Sequence, residues 1–241
     1  MSGDLATSAW PVSGPLLQAT TLVDEKNYPQ ATAALWAAGY LWTANETGLL
    51  TRWEISGQTY RQYRLPGEPV IYALAGDGQT IYLGTAGSGL WSLTADGSPP
   101  HLVKSESGRI SALALAGNKQ LWYADAGNFN RPTSRDQAGR GLVFMEVGRE
   151  AKIHHVSGDE GDHPPLTEVT ALIFDPALKM LWVGTRAAGV LGYDVNRENW
   201  QAFNTFNSDL ANNTVNDLKQ APDGSLWLAT AAGISVYQNG A

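Results

Sequence analysis

The chain of 241 residues is 43% hydrophobic and 16% charged, a balance that excludes extended disorder and allows a sizeable core. Its formal charge of −7, from 16 Lys+Arg against 23 Asp+Glu, disfavours nucleic acid or an anionic membrane as the main partner. Cysteine is absent, which removes disulfides, thiolate catalysis and cysteine-ligated zinc.

The opening residues, MSGDLATSAW, have neither the basic nor the apolar region of an export signal, and no run reaches the apolar length of a membrane span. The expectation is a soluble chain making no membrane contact of its own, with monomer favoured. The compartment stays open, a mature periplasmic or extracellular form included.

Residues 16–23 read as one strand standing ahead of a repeat. The repeat then sounds five times: Leu41-Trp42-Thr43, Ile81-Tyr82-Leu83-Gly84-Thr85, Leu121-Trp122-Tyr123, Leu181-Trp182-Val183-Gly184-Thr185 and Leu226-Trp227-Leu228-Ala229-Thr230. Its aromatic position returns at intervals of 40, 40, 60 and 45 residues. Each phrase is followed by a glycine and an apolar strand, at Gly48-Leu49, Gly89-Leu90, Gly141-Leu142, Gly189-Val190 and Gly233-Ile234. A repeat of this length with alternating apolar positions is the mark of propeller blades, because one small sheet cannot bury its own faces.

The blades fall at 31–64, 70–104, 110–156, 169–204 and 215–237, with turn residues such as Gly76-Asp77-Gly78 and Asp223-Gly224 between first and second strands. The fifth has only three strands before the chain stops at Ala241, and residues 16–23 would supply a fourth. The expected fold is therefore all-β, with residues 1–241 as a single domain. It is a five-bladed β-propeller of four-stranded antiparallel blades, its ring closed by an N-terminal strand in the last blade. A piece of a larger ring is the alternative. In the second strands, Trp42, Tyr82, Trp122, Trp182 and Trp227 supply broad plates between neighbouring sheets, and the Leu or Ile before each packs on the opposite neighbour.

Residues 208–218, with Asp223-Gly224-Ser225-Leu226-Trp227-Leu228-Ala229-Thr230 and Gly233-Ile234-Ser235-Val236-Tyr237, resemble the two-component-regulator propeller repeat. Residues 169–194 share the pattern, most clearly in Leu181-Trp182-Val183-Gly184-Thr185; residues 70–93 are a fair match, and blades one and three are degenerate. The resemblance implies a bacterial β-propeller. In that family such propellers often form the extracytoplasmic sensing part of signalling proteins, and they also occur alone or beside enzyme domains.

The long 60-residue interval holds two irregular connections, 125–140 and 157–168. Second-to-third and fourth-to-first connections of an up-and-down blade emerge on one face, so the two should meet above blades three and four. Binding groups tend to sit on loops held by a rigid scaffold. Candidate ligand or partner residues are Asn128, Phe129, Arg131, Arg135 and Arg140 on the first, with Asp159, Glu160, Asp162 and His163 on the second. Mutual pairing of these arginines and acids is the plainer alternative. The loop at 204–213 belongs to the same face, and the groove is expected to border it.

His154 and His155 are adjacent in a strand and point to opposite faces, so they are poor ligands for one metal; 159–163 lacks the spacing of a calcium loop. No serine elbow or Ser/His/Asp arrangement stands out. The reading is a protein without cofactor or metal and without assigned catalytic residues: a binding, sensing or scaffold propeller for a peptide, glycan or small metabolite. The alternatives are a hydrolase or lyase acting on a saccharide or lactone in the propeller funnel, or a detached extracytoplasmic sensor domain.

Overall fold

The structure, a computed structural model, describes residues 30–57, 59–105, 108–116, 120–127, 138–146, 154–156 and 169–238. These hold nineteen strands in five antiparallel sheets. Blade one is β1 (Ala31–Ala37), β2 (Tyr40–Asn45), β3 (Leu49–Glu54) and β4 (Thr59–Arg64). Blade two is β5 (Ile71–Gly76), β6 (Thr80–Thr85), β7 (Leu90–Thr94) and β8 (His101–Lys104). Blade three is β9 (Ile110–Ala116), β10 (Gln120–Gly127), β11 (Ala138–Glu146) and β12 (His154–Val156). Blade four is β13 (Val169–Asp175), β14 (Met180–Thr185), β15 (Val190–Asp194) and β16 (Asn199–Phe203). Blade five has three strands, β17 (Val215–Gln220), β18 (Leu226–Thr230) and β19 (Gly233–Tyr237).

Each blade meanders outward in chain order, and the inner strands β1, β5, β9, β13 and β17 pack side by side in that sequence. Four apolar clusters fill the four junctions. Between blades four and five, Trp182 meets Val215, Leu218, Leu226 and Leu228. Its neighbour Leu181 points the other way, into the cluster of Trp122, Val169 and Val183 between blades three and four. Period-two alternation thus assigns one side of each strand to the previous blade and the other to the next. Burying a Leu or aromatic at each such position is worth roughly 1.5–3 kcal/mol. Trp42, Tyr82, Trp122 and Trp182 are all buried.

The threonine that ends the repeated phrase also has a use. Thr85, Thr185 and Thr230 donate their hydroxyls to the carbonyls of Gly89, Gly189 and Gly233, at 2.6, 2.8 and 2.8 Å, closing the turn into the third strand. Gly189 itself has φ +83°, and a Cβ there would lie 2.1 Å from the Phe203 carbonyl oxygen, so only glycine fits.

Ring closure does not appear among the described residues, which form an open arc. The inner-strand packing runs from β1 to β17 and does not return to β1, and the sheet of blade five stops at three strands. Residues 16–23, expected to complete it, lie outside the described residues. The physical counterpart is a bare apolar face at each end of the arc. Trp227, in the position that Trp182 occupies in blade four, is 45% exposed beside Ile234 at 66%; at the other end Trp36 is 63% exposed.

Candidate functional site

Every inner strand carries a register shift against its second strand, one residue in from its start. The unpaired residues are Thr32, Tyr72, Ser111, Thr170 and Asn216. A β-bulge at this place turns one side chain out of the alternation. In three blades the hydroxyl so placed staples its blade to the next. Thr32 donates to the Ile71 carbonyl, Ser111 to that of Val169 at 2.8 Å, and Thr170 to that of Val215 at 2.5 Å.

Blade two departs from this rule because its bulge residue is Tyr72. The guanidinium of Arg109, just before β9, stands 5.3 Å from the centre of the Tyr72 ring, within cation–π range. Around these groups lies an open cavity of about 250 Å³, bordered by Tyr72, Arg109, Ser111, Thr170, Arg186 and Asn216. Blades two to five each contribute. Arg186 follows the last residue of β14, and its carbonyl accepts from the Thr214 hydroxyl at 2.8 Å, which fixes the backbone at that rim.

Among the described residues the cavity border carries two guanidiniums, each with interactions of its own, and no carboxylate. Ser111 and Thr170 spend their protons on backbone carbonyls and retain acceptor lone pairs, and the Asn216 amide offers both donors and an acceptor. Among the described residues of the cavity wall, no histidine or carboxylate stands beside either hydroxyl. Among the described residues no three His, Asp or Glu side chains gather as metal ligands. The arrangement can bind and orient a ligand.

The cavity opens on the face where second-to-third and fourth-to-first connections meet. The Leu65 amide donates to the Gly48 carbonyl at 3.3 Å, Gly87 to Gly108 at 3.0 Å and Gly189 to Asn213 at 3.0 Å, each joining the two kinds of connection. Asn128, Phe129, Arg131, Arg135, Asp159, Glu160, Asp162 and His163 lie outside the described residues. Arg140 falls within β11. The strand end at Val169, to which the 157–168 connection leads, is at the cavity wall.

The 204–213 loop differs from expectation in contributing nothing to the cavity border. It is instead braced by its own asparagines: Asn207 Oδ1 accepts from the Asn204 amide at 2.8 Å, and Asn213 Oδ1 from the Thr205 amide at 2.9 Å. This frame holds Phe206 out to solvent, 93% exposed.

Sequence reasoning missed all the cavity residues. The available signal was one column of the repeat, in which Thr32, Tyr72, Ser111, Thr170 and Asn216 interrupt otherwise apolar strand starts.

Comparison with known proteins supports the architecture. The extracellular domain of a protein described as a one-component system from B. thetaiotaomicron superposes with TM-score 0.67 at 17% identity, over 91% of this chain and 29% of that one. The extracellular domain of a protein described as a hybrid two-component system from the same organism gives TM-score 0.63 at 15% identity, over 87% and 27% of the two chains. PorZ, a surface component of the type-IX secretion system of Porphyromonas gingivalis, gives 0.64 at 16%, over 87% and 32%. The chain thus spans less than a third of the length of each. No curated protein sequence matches it. Residues 209–232 match the family model described as two component regulator propeller, so the chain carries in blade five the repeat that its sequence resembles, on a β-propeller fold.

Proposed function

We propose that this chain is a non-catalytic recognition propeller of the extracytoplasmic sensing kind, holding its ligand at the inner ends of blades two to five. The observation that carries this reading is the convergence of four bulge side chains and two arginines on one cavity, on the face that carries the connections between blades. A scaffold needing only stability would have kept the hydroxyl staple in blade two, where Tyr72 replaces it.

Two of the similar structures are described as extracellular domains of one-component or two-component systems, which favours sensing over a general scaffold role. In this reading residues 1–241 act as one unit. Arg131, Arg135 and Arg140, with Asp159, Glu160 and Asp162, are proposed to add to its selectivity.

The test is calorimetric titration of a panel of oligosaccharides, short peptides and small metabolites against the chain and its Tyr72→Ala variant. Saturable binding by the chain, lost in a variant that melts as before, is the expected result. Binding of equal strength in both would remove the cavity as the recognition site.

A further inference from the structure

We infer that copies of this chain associate head to tail, the exposed face of blade five in one copy seating the exposed face of blade one in the next. Four joints of this kind already exist within the molecule, one between each pair of successive blades. Direct cross-strand partners share a face of their sheet, so each blade presents residues in rows. In blade four the row Ile173, Trp182, Gly192 faces blade five. The row Phe174, Leu181, Tyr193, Trp200 faces blade three. Each joint thus sets the second-strand aromatic of one blade on the opposite kind of row in the next. Trp122 lies 5.7 Å from Tyr193, and Trp182 lies 4.8 Å from Tyr237.

The same two rows recur at the two ends of the described arc. Blade five carries Trp227 and Val236 in the places of Trp182 and Gly192, with Ile234 beside them, and all three are exposed. Blade one carries Trp36, Leu41, Trp53 and Tyr60 in the places of Phe174, Leu181, Tyr193 and Trp200. Trp36 and Tyr60 are exposed, and the Trp53 and Tyr60 rings, 5.3 Å apart, widen the row into an apolar plate. One copy therefore carries both halves of the joint, at opposite ends. Trp227 set on a second Trp227 would be a pairing that none of the four internal joints uses. Charge does not oppose the fit. On the blade-five face Asp217 and Lys219 pair with each other at 3.0 Å, and the blade-one row is uncharged. Two sheet faces of this size bury on the order of 1,000 Å² in all, the small end for a specific interface, so the association is reversible. A joint between unlike faces leaves one face free at each end, and copies add on or close into a ring.

The experiment is sedimentation velocity of the whole chain from low micromolar to several hundred micromolar concentration. The average mass should rise above that of one chain as concentration increases. Added salt should strengthen the association, because each copy carries −7 and the joint itself is apolar. Trp227→Lys and Trp36→Lys each remove one of the two faces, and each variant alone should need roughly tenfold or more concentration to associate. Mixed together, the two variants should pair through their remaining intact faces and stop at two copies. Circular dichroism and melting confirm folding, and Ile234→Lys with Tyr60→Lys repeats the test on the same two faces should either first variant fail to fold. A chain that stays monomeric over the whole range would overturn the inference. So would a Trp36→Lys or Trp227→Lys variant that associates alone as well as the parent. A parent that associates while the mixed variants do not would overturn it as well.

Discussion

The Ser111 hydroxyl donates to the Val169 carbonyl at 2.8 Å, so a residue of blade three holds the backbone of blade four at the edge of the cavity. Thr170 repeats the bond onto Val215 of blade five at 2.5 Å. These bonds cross between sheets that otherwise meet largely through apolar clusters, alongside a few polar contacts such as Gln220 Nε2 to Asp175 Oδ2 at 2.7 Å. They help to fix the relative height of neighbouring inner strands. Replacing Ser111 or Thr170 with Ala should lower stability by about 0.5–1.5 kcal/mol each, the usual net value of one such bond. Urea unfolding reads the change, and the same variants should loosen ligand affinity by shifting the cavity wall.

The repeat was legible because its physical cause is written in single positions. Trp182 and Leu181 are adjacent, and strand alternation sends them to opposite neighbours, as their two separate clusters show. Closure was less legible. Trp227 repeats the letter of Trp182, but the letter does not say whether a further sheet covers it, and here it is exposed. The cavity was hidden for a different reason. A bulge is a matter of register between two strands, and Thr32, Tyr72, Ser111, Thr170 and Asn216 share a position without sharing a chemistry. Arg109 and Arg186 stand at strand ends, where the repeat gives no counterpart to compare. Length singled out the 125–140 and 157–168 connections, which is a signal of irregularity and carries no direct information about the wall beneath.

Two glycines separate backbone strain from close packing. Gly224 has φ +86° with nothing within 4 Å of a built Cβ, so Gly224→Ala should cost only the left-handed conformation, about 1–2 kcal/mol. Gly189 has φ +83°, and in addition a Cβ built there would lie 2.1 Å from the Phe203 carbonyl oxygen. Gly189→Ala adds an overpacking cost of about 1–3 kcal/mol to the same backbone cost. The difference between the two variants in chemical denaturation isolates the contact that seats the turn of blade four on the chain entering blade five.

Acid should weaken the turn of blade five before it reaches the interior. The Ser225 hydroxyl, at 2.6 Å, and then its amide, at 2.9 Å, donate to Asp223 and hold its carboxyl below the ordinary carboxylate value. A carboxyl whose folded pKa is depressed contributes stability above its unfolded pKa of about 3.9. That contribution is lost as pH falls through the folded value. Comparing the denaturation midpoints of the chain and Asp223→Asn from neutral pH downward should show the chain ahead at pH 6 and the gap closing below about pH 4. A gap that widens in acid would contradict the assigned hydrogen bonds.

Trp182 and Trp227 occupy equivalent positions in successive blades and should behave as different residues under substitution. Trp182 is 1% exposed, its ring 4.8 Å from that of Tyr237 in the next blade and 5.9 Å from Phe203 in its own. Trp182→Ala leaves a cavity between blades four and five that the paired sheets cannot close, at a cost of about 3–5 kcal/mol. Trp227 is 45% exposed and keeps a 3.0 Å bond from its indole nitrogen to the Ser225 hydroxyl. With no sheet against it among the described residues, Trp227→Ala removes little packing and should cost about 1 kcal/mol or less. Melting of the two variants at low protein concentration makes the comparison. A loss at Trp227 as large as that at Trp182 would mean that its face is covered in solution, and the open arc would then be the wrong description of blade five.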